Sequence, residues 1–414
     1  MLKAYKYRLL PNKQQSEYID RCIGCARFAY NSLLCDYKEQ LNNGTEKPKL
    51  KEVTFLKKDN TFLNEVDSLA LANAKQNLQG AIKAFFDYKK GKRNGKRIGF
   101  PKMHKKGFTR LSYTTNNQGG NVRIKNNAIK LPKVGFVKLV YHRELIGNIR
   151  SVTVSQEKDG KYYVSILSDY DYKPLKRSYD LNSLKVVGID MSFTDFCIDS
   201  DCILDVTKPK YIKRYKESEK KRSKLNRQLS RKMKGSNSRD KARKKLASLD
   251  RKIANRHKDF CHKMSKYYAT HFDVIVLEDL NMQQMSRGLR GSGKSVSDLS
   301  FGLFKQYLSY KCELYDSCVM YADKWFASSK ICNHCGSKNT LLQLSDREWV
   351  CPSCGCVIER DLNAAYNLRD YFYKVIDTAG TAEIHAVGDK ASTLRETLMQ
   401  VLSLKAEAPN FRWG

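Results

Sequence analysis

Val-Val-Gly-Ile-Asp at 186–190 and Val-Ile-Val-Leu-Glu at 274–278 are two short apolar runs that each end in an acidic residue. Short continuous apolar runs are typical of strands that are buried on both faces, as in a parallel sheet. Parallel neighbours deliver their carboxyl ends to the same edge, where such sheets bind their ligands. The two runs therefore predict an α/β domain with Asp190 and Glu278 at one edge of its sheet.

A third acid, Asp361, begins a segment whose apolar residues recur at helical spacing, 362–368. Three carboxylates that converge repel one another unless they hold cations, and hard oxygen ligands suit Mg²⁺. Two such ions can activate water and stabilise the leaving oxygen of a phosphodiester. The pattern favours a magnesium centre at Asp190, Glu278 and Asp361, although acids that are only solvated or that cap a helix would show the same local sequence.

Four cysteines near the C-terminus form two CxxC pairs separated by fifteen residues. Four thiolates at this spacing suit a tetrahedral zinc ribbon in which each pair supplies two ligands. A closed site of this kind stabilises folding and does no chemistry. His334 and Cys356 lie close enough in the sequence to compete as ligands. The CxxC geometry nevertheless favours one structural zinc on Cys332, Cys335, Cys351 and Cys354.

The charge of the chain points to a polyanionic partner. Its 414 residues carry 77 Lys and Arg against 43 Asp and Glu, a formal net charge of +34. Two stretches hold most of the excess: residues 208–258 have 22 basic against 4 acidic residues, and residues 83–110 have 11 against 1. Such runs self-repel unless a polyanion lies against them, so we expect nucleic acid there.

Membrane and secreted classes are disfavoured. No apolar run approaches the roughly 18 residues of a membrane span, and the start, MLKAYKYRLLPNK, lacks the apolar core of a signal peptide. An odd number of cysteines, 13, in a chain of this kind is typical of a reducing compartment rather than a disulfide framework. The sequence therefore predicts a cytoplasmic protein.

The remaining periodicity suggests two further blocks. A strand at Lys3–Leu10 precedes helical spacing from Lys13 to about residue 90, where Cys22 and Cys25 are predicted to serve packing. Alternating patterns at 108–113, 122–124, 136–141, 152–154 and 162–167 then predict a small barrel into which the helices are inserted. Apolar residues spaced by three and four through 225–267 predict a helical hairpin with broad basic faces, and Val319–Tyr321 another strand.

Several segments of the chain follow one another in a distinctive order. They are PNKQQ at 11–15, ARFAYN at 26–31, GID at 188–190, LEDLN at 277–281, WFASSKICNHCG at 325–336, the four-cysteine ribbon, RDLNAAYNL at 360–368 and AGTAEI at 379–384. Together they resemble the TnpB family, transposon-encoded proteins related to type V CRISPR effectors. After GID, Met191-Ser192 departs from the Leu-Gly that is common in the family.

The resemblance implies an RNA-guided endonuclease that cuts double-stranded DNA next to a short adjacent motif, with a guide RNA from the end of a transposable element. It implies that Asp190, Glu278 and Asp361 bind the catalytic Mg²⁺ ions. A guided repressor or accessory protein without cleavage, and an RNase H-type enzyme without a guide, remain alternatives. The implied domains are a β-barrel (wedge-like) domain at 1–10 and 108–176, a helical recognition insertion at 11–107, a RuvC-like nuclease domain of RNase H fold at 177–330 and 359–380, a zinc ribbon at 331–358 and a C-terminal tail at 381–414.

One competing motif is a phosphate-binding P-loop. Residues 288–295, GLRGSGKS, match its pattern of spaced glycines followed by Lys-Ser. A P-loop leaves a strand directly and enters a helix, whereas the polar residues 279–287 separate this motif from the strand before it. We therefore interpret it as a basic loop near the nuclease site and not as a nucleotide site.

Overall fold

The computed structural model describes residues 1–93, 95, 97–107, 111–172, 177, 183–192, 196–202, 208–279, 301–343 and 345–377, with the backbone alone described from 208 to 216. The chain divides into two compact units, Met1–Tyr172 and Lys173–Gly414. Among the helices of the described segments, none has the length and apolar character needed to cross a membrane. The mixed α/β class expected from the sequence is confirmed.

The first unit has one sheet, with helices placed between its first and second strands. The chain begins with a strand, passes through the helices and then returns for the other strands. In chain order the elements are β1 Leu2–Leu10, α1 Lys13–Asn42, α2 Val53–Asp59, a 3₁₀ helix Thr61–Asn64, α3 Ser68–Lys89, β2 Leu111–Asn116, β3 Arg123–Lys125, β4 Ala128–Leu131, β5 Gly135–Val140, β6 Asn148–Gln156 and β7 Tyr162–Asp169.

The helix α1 begins at a capping box. The Asn12 side chain accepts a hydrogen bond from the backbone N–H of Gln15 at 2.8 Å, and Gln15 Oε1 accepts one from the Asn12 N–H at 3.1 Å. This reciprocal pair satisfies two backbone donors that a helix start leaves open. The PNKQQ segment therefore starts the long helix, and Cys22 and Cys25 lie on its buried face, as predicted.

The sheet of the first unit is antiparallel, with strand order β2-β6-β7-β1-β5-β4-β3. The strand β1 pairs with β7 on one side and β5 on the other, so the two ends of the unit's sequence meet at the centre of the sheet. Among the described pairings β2 and β3 lie at the ends, which makes this sheet a half-barrel. The strand β4, Ala128–Leu131, was not predicted.

In its described residues, the second unit has a four-stranded sheet, four helices and a short two-stranded ribbon. In chain order its elements are β8 Val186–Asp190, β9 Ile198–Asp199, α4 Lys208–Ser230, α5 Asn237–His271, β10 Val274–Glu278, α6 Phe301–Tyr315, β11 Cys318–Ala322, β12 Glu348–Val350, β13 Val357–Glu359 and α7 Arg360–Asp377.

Helices cover both faces of the four-stranded sheet, whose order is β11-β10-β8-β9. The strand β10 is parallel to both of its neighbours, β8 and β11, and β9 is antiparallel to β8. Burial on both faces explains the continuous apolar runs of β8 and β10. Val187, Ile189, Ile275 and Leu277 join the core formed with α5 and α6, whereas Val186, Val274 and Val276 join the core formed with α7.

Gly188 lets the backbone of α7 pack directly onto β8. A Cβ atom at this position would lie 2.0 Å from the carbonyl oxygen of Ala365 and 2.5 Å from the backbone nitrogen of Arg369. Because both obstacles are backbone atoms of one helix, they cannot move without shifting α7 itself. The glycine of the GID segment therefore sets how closely α7, which carries Asp361, approaches the sheet.

We expect Gly188→Ala to destabilise the second unit. The helix α7 must retreat to admit the methyl group, and overpacking of this kind costs about 1–3 kcal/mol or more of the free energy of unfolding. Thermal unfolding of the full chain measures the loss. Gly302→Ala is the matched control, because a Cβ at Gly302 on α6 meets no atom within 4 Å and a helical alanine is favourable. Equal melting temperatures for the two variants would contradict the packing role of Gly188.

Some sequence interpretations fall outside the described residues or differ from the structure. The apolar runs at 196–198 and 203–204 predict short strands that follow β8 in the sequence. Residues 203–204, the P-loop-like motif at 288–295 and the tail at 381–414 lie outside the described residues. The strand β9 has only two residues, fewer than the Phe196–Ile198 run suggested, because Phe196 takes a left-handed backbone conformation (φ 70°) just before it. The strand expected at Val319–Tyr321 is confirmed as β11.

Candidate metal centres

Asp190 and Glu278 lie at the same edge of the four-stranded sheet. Each is the last residue of its strand, and the parallel register places Leu277 opposite Ile189, immediately before the two acids. Helix α7 runs back over β8, so that Ala365 faces Gly188 and Asp361, one turn earlier, lies towards the carboxyl end of the strand. The three predicted acids therefore come from three elements that converge at one sheet edge.

The pKa values of Asp190 and Glu278 reflect their burial, and that of Asp190 also reflects the nearby acidic charges. Burial raises the pKa of Asp190 well above the usual range of an aspartate, and the charges of Glu278 and Asp361 raise it further. Burial also raises the pKa of Glu278, while a hydrogen bond from the Ser328 hydroxyl and the charge of Lys305 oppose the rise. A bound cation would favour the ionised forms of both acids. The donor set thus fits a hard divalent ion.

Two arginines hold Asp361. Arg347 Nη1 lies 2.5 Å from Oδ2, and Arg360 Nη2 lies 2.9 Å from Oδ1. Arg360 is the neighbour of Asp361, whereas Arg347 comes from the segment before β12, and no sequence pattern predicts its contact with Asp361. The cationic groups balance the charge of a carboxylate that is 8% exposed.

Among the described residues, two groups of Asp, Glu, His and Cys side chains bring all their ligand atoms within 4.8 Å of one another. One is the predicted set of four cysteines, and the other is His334, Cys354 and Cys356. The three acids are not such a group, since the Asp361 carboxylate is turned to its two arginines. Within the described part of the chain, both compact groups of candidate ligands therefore lie in the cysteine-rich segment.

The four cysteines lie on two similar turns. The Gly336 N–H bonds to the Cys332 carbonyl at 2.8 Å, and the Gly355 N–H bonds to the Cys351 carbonyl at 2.9 Å. Both glycines have positive φ, 75° and 72°, which glycine adopts without strain. The strands β12 and β13 pair directly around the second turn.

The sulfur positions suit a tetrahedral ion. Cys332 Sγ lies 3.7 Å from Cys354 Sγ, and Cys335 Sγ lies 3.5 Å from Cys351 Sγ. A zinc–sulfur bond of about 2.3 Å gives a tetrahedral edge of about 3.8 Å, close to both distances. Hydrogen bonds, above all from the Ser337 hydroxyl, lower the pKa of the Cys351 thiol to about 6, whereas burial and hydrogen bonds with the neighbouring thiols raise the pKa of Cys354. The cluster can therefore hold a zinc ion.

The basic hairpin, α4 and α5 together (Lys208–His271), contains the basic stretch 208–258. Polar contacts join the two helices: Arg256 Nη1 donates to Ser218 Oγ at 2.8 Å, and Arg222 Nε donates to Asp250 Oδ1 at 2.9 Å. At the turn between the two helices, Arg239 Nη1 donates to the backbone carbonyl of Leu229 in α4 and to that of Lys232 just after it. The side chains of Lys220, Lys221, Lys224 and Arg227 are exposed.

Three family models match the chain. Residues 152–288 match a model described as "Probable transposase", and residues 301–368 match one described as "Cas12f1-like, TNB domain". Residues 1–46 match a model described as a helix-turn-helix domain, and in this structure they contain β1 and the single long helix α1.

Curated relatives cover nearly the whole chain. A protein of Streptomyces pristinaespiralis named "Putative RNA-guided DNA endonuclease" is 31% identical over 388 residues, 88% of each chain. InsQ of Escherichia coli, which carries the same description, is 28% identical over 89% of this chain and 91% of its own. A TnpB-like protein of Acanthamoeba polyphaga mimivirus is 27% identical over 56% of this chain and 45% of its own.

A solved structure shares the fold. The structure titled as the Cas12f1–sgRNA–target DNA complex superposes with a TM-score of 0.51 at 11% sequence identity, covering 87% of this chain and 83% of the other. The sequence similarity to a full-length relative over 88% of both chains supports the resemblance that the motifs suggested. The protein belongs to the TnpB family.

Proposed function

We propose that this protein is an RNA-guided endonuclease that cuts double-stranded DNA beside a short adjacent duplex motif and is associated with a transposable element. Full-length relatives are named as RNA-guided DNA endonucleases, and a Cas12f1 complex with guide RNA and target DNA shares the fold. Base pairing with the guide would read most of the target, while the protein reads the adjacent motif and the backbone.

The convergence of Asp190, Glu278 and Asp361 at one sheet edge is the observation that carries the nuclease proposal. We propose that these acids hold two Mg²⁺ ions. Ions bound there would activate a water molecule and stabilise the leaving oxygen of the phosphodiester. The chain itself contributes the buried setting of Asp190, the hydroxyl of Ser328 on Glu278, and Lys305, whose Nζ donates to the Glu278 carbonyl at 2.8 Å.

The two alternatives are less well supported. A guided repressor without cleavage would not need three acids at one edge, and all three are present. An RNase H-type enzyme without a guide would not need a charge of +34. Family membership also favours a guided protein, because the full-length relatives carry that description.

We propose that the second unit contains a RuvC-like domain of RNase H fold. Its sheet has two strands antiparallel to each other, β9 and β8, followed by the parallel β10 and β11. In the first unit, we propose that the half-barrel is the wedge-like domain and that α1 to α3 form the recognition insertion. The ribbon at 331–358 would hold one structural zinc on its four cysteines. No disulfide joins the cysteines of the described residues, and we propose that the protein is cytoplasmic.

The RNA that copurifies with the protein tests the guided mechanism. We expect one discrete RNA species, and we expect Mg²⁺ to yield cut DNA only when the DNA matches that RNA. A protein that cuts without any bound RNA would support the unguided enzyme, and a protein that binds matched DNA without cutting it would support the repressor.

The basic hairpin should lie along a nucleic-acid backbone. Replacing the four exposed residues Lys220, Lys221, Lys224 and Arg227 with Gln keeps helix propensity and removes four charges. The logarithm of the affinity falls with the logarithm of the salt concentration, and each lost phosphate contact makes this negative slope shallower by roughly 0.7–0.9. We therefore expect weaker binding and a shallower slope, with no change in which sequence is preferred, in titrations at several salt concentrations.

The control for this variant is Arg222→Gln. Arg222 is paired with Asp250 on the other helix, so its loss should affect the melting temperature more than the salt slope. An unchanged slope in the fourfold variant would show that the hairpin does not contact the backbone.

A further inference from the structure

The segment between β11 and the first cysteine turn passes directly beside Glu278. Ser328 lies in this segment, is 3% exposed, and donates its hydroxyl hydrogen to Oε1 of Glu278. Lys305 from α6 donates to the backbone carbonyl of Glu278. At the carboxyl end of β10, Ser328 therefore holds the side chain of Glu278 and Lys305 holds its backbone.

Two asparagines of α7 fix the segment that carries Ser328. Asn367 Nδ2 donates to the Ser328 carbonyl at 2.7 Å and to the Ile331 carbonyl at 2.6 Å. Asn363 Nδ2 donates to the same Ile331 carbonyl at 2.7 Å, and its Oδ1 accepts from the Asn333 N–H at 2.9 Å. Both asparagines are buried, 3% and 4% exposed. Because each amide bonds main-chain groups at close range, the segment is held in one place on the helix.

These contacts connect the elements that carry two of the three acids. Helix α7 bears Asp361 and Asn363 in its first turn and Asn367 one turn later. Asn367 holds Ser328, Asn363 holds the residues that follow it, and Ser328 holds one oxygen of Glu278. Through these contacts, the helix that carries Asp361 also fixes the position of the Glu278 carboxylate.

We propose that Ser328 is a positioning residue that orients Glu278 for divalent-cation binding, with Asn367 holding Ser328 in place. The inference rests on the proposed nuclease function. The hydroxyl bonds Oε1 and restricts the rotation of the carboxylate, which would leave Oε2 to bind the ion. Groups that orient a metal ligand in this way are worth about 10–100-fold in metal affinity. No metal contact by Ser328 is required.

Metal occupancy can be measured without hydrolysis by iron-directed cleavage of the protein. Fe²⁺ takes the place of Mg²⁺ in the full protein with its bound RNA, and ascorbate with peroxide then generates radicals that cut the chain near the bound ion. Fragment sizes report the site, and the Fe²⁺ concentration at half-maximal cutting reports its affinity. The variants are Ser328→Ala and Asn367→Ala. Ser317→Ala is the matched control, because Ser317 is also buried and donates its hydroxyl to a carbonyl, that of Ala269.

We expect cuts near 190, 278 and 361 in the wild-type protein, and an Fe²⁺ midpoint about ten-fold higher in Ser328→Ala. Asn367→Ala should shift the midpoint in the same direction, whereas Ser317→Ala should not. The Mg²⁺ midpoint of DNA cleavage should rise in parallel, with the rate recovering at saturating Mg²⁺, which a merely destabilised fold would not show.

The possible failures are distinguishable. If Ser328→Ala has the midpoint of the wild-type protein, the positioning role is wrong although the nuclease proposal stands. If only Asn367→Ala leaves the midpoint unchanged, the role of Asn367 is wrong. If the wild-type protein shows no cuts near the three acids, the metal centre itself is wrong, and the inference falls with it.

Discussion

Replacing Asp361 with alanine is expected to abolish DNA cleavage while guide RNA and target DNA remain bound. Asp190→Ala and Glu278→Gln should do the same, because each removes one ligand of the proposed metal pair. We expect the cleavage rate to fall at least about a thousand-fold, roughly 4 kcal/mol of transition-state stabilisation. Binding should change little, because phosphate contacts come from Lys and Arg side chains elsewhere. Single-turnover cleavage and a filter-binding titration on the same preparations separate the two quantities.

A carboxylate at the other edge of the same sheet provides the matched control. Asp273 precedes β10, pairs with Arg177 at 3.0 Å and accepts from the Lys185 N–H at 2.9 Å. Asp273→Asn removes a charge from the same unit without touching the proposed centre, so it should cost stability and leave cleavage per folded molecule intact. Robust cutting by any variant of the three acids would contradict the role assigned to that residue.

Cys351→Ser is expected to remove the bound zinc and to unfold the ribbon. The ribbon has a very small apolar core, in which Leu342, Trp349 and Ile358 are buried together with Cys332 and Cys351. A core of this size cannot order the segment alone. Structural zinc contributes about 10–16 kcal/mol in small zinc domains, so its loss removes most of the stabilisation. Elemental analysis should give one zinc per chain for the wild-type protein and none for the variant, and proteolysis should then cut within residues 331–358.

A second cysteine variant separates the predicted ligands from their competitors. Cys356, with His334, lies within 4.8 Å of Cys354, so both remain chemically able to bind. The paired turns and the short Sγ–Sγ distances favour the four predicted cysteines. Cys356→Ser should therefore keep the zinc. Zinc loss in Cys356→Ser with retention in Cys351→Ser would show that the assigned ligand set is wrong.

Short-range sequence features predicted much of this molecule. The apolar runs that end at Asp190 and Glu278 are visible because a strand buried on both faces has no polar positions. The cysteine turns are visible because their ligand spacing is fixed by the ion. The strand β4 was missed. The strand β9 was predicted at 196–198 but contains only Ile198 and Asp199, because the left-handed backbone of Phe196 leaves no mark in the sequence pattern.

Contacts between distant residues could not be predicted from periodicity. Arg347 reaches Asp361 and Ser328 reaches Glu278 only because α7 and the ribbon pack beside the sheet edge. The asparagines of RDLNAAYNL look like ordinary helical polar residues in the sequence. Their function is clear only when the Ile331 and Ser328 carbonyls lie against them.

The central claim is that a bound RNA directs this protein to cut DNA. The most direct test begins by sequencing the copurifying RNA. The complex is then incubated with Mg²⁺ and two plasmid libraries, both with randomised flanking bases, of which only one carries the complement of the variable end of that RNA. We predict that the matched library is linearised, that the cut molecules share a short flanking motif, and that the mismatched library stays intact. Equal cutting of both libraries, or no cutting of the matched one by a complex that binds it, would contradict the account.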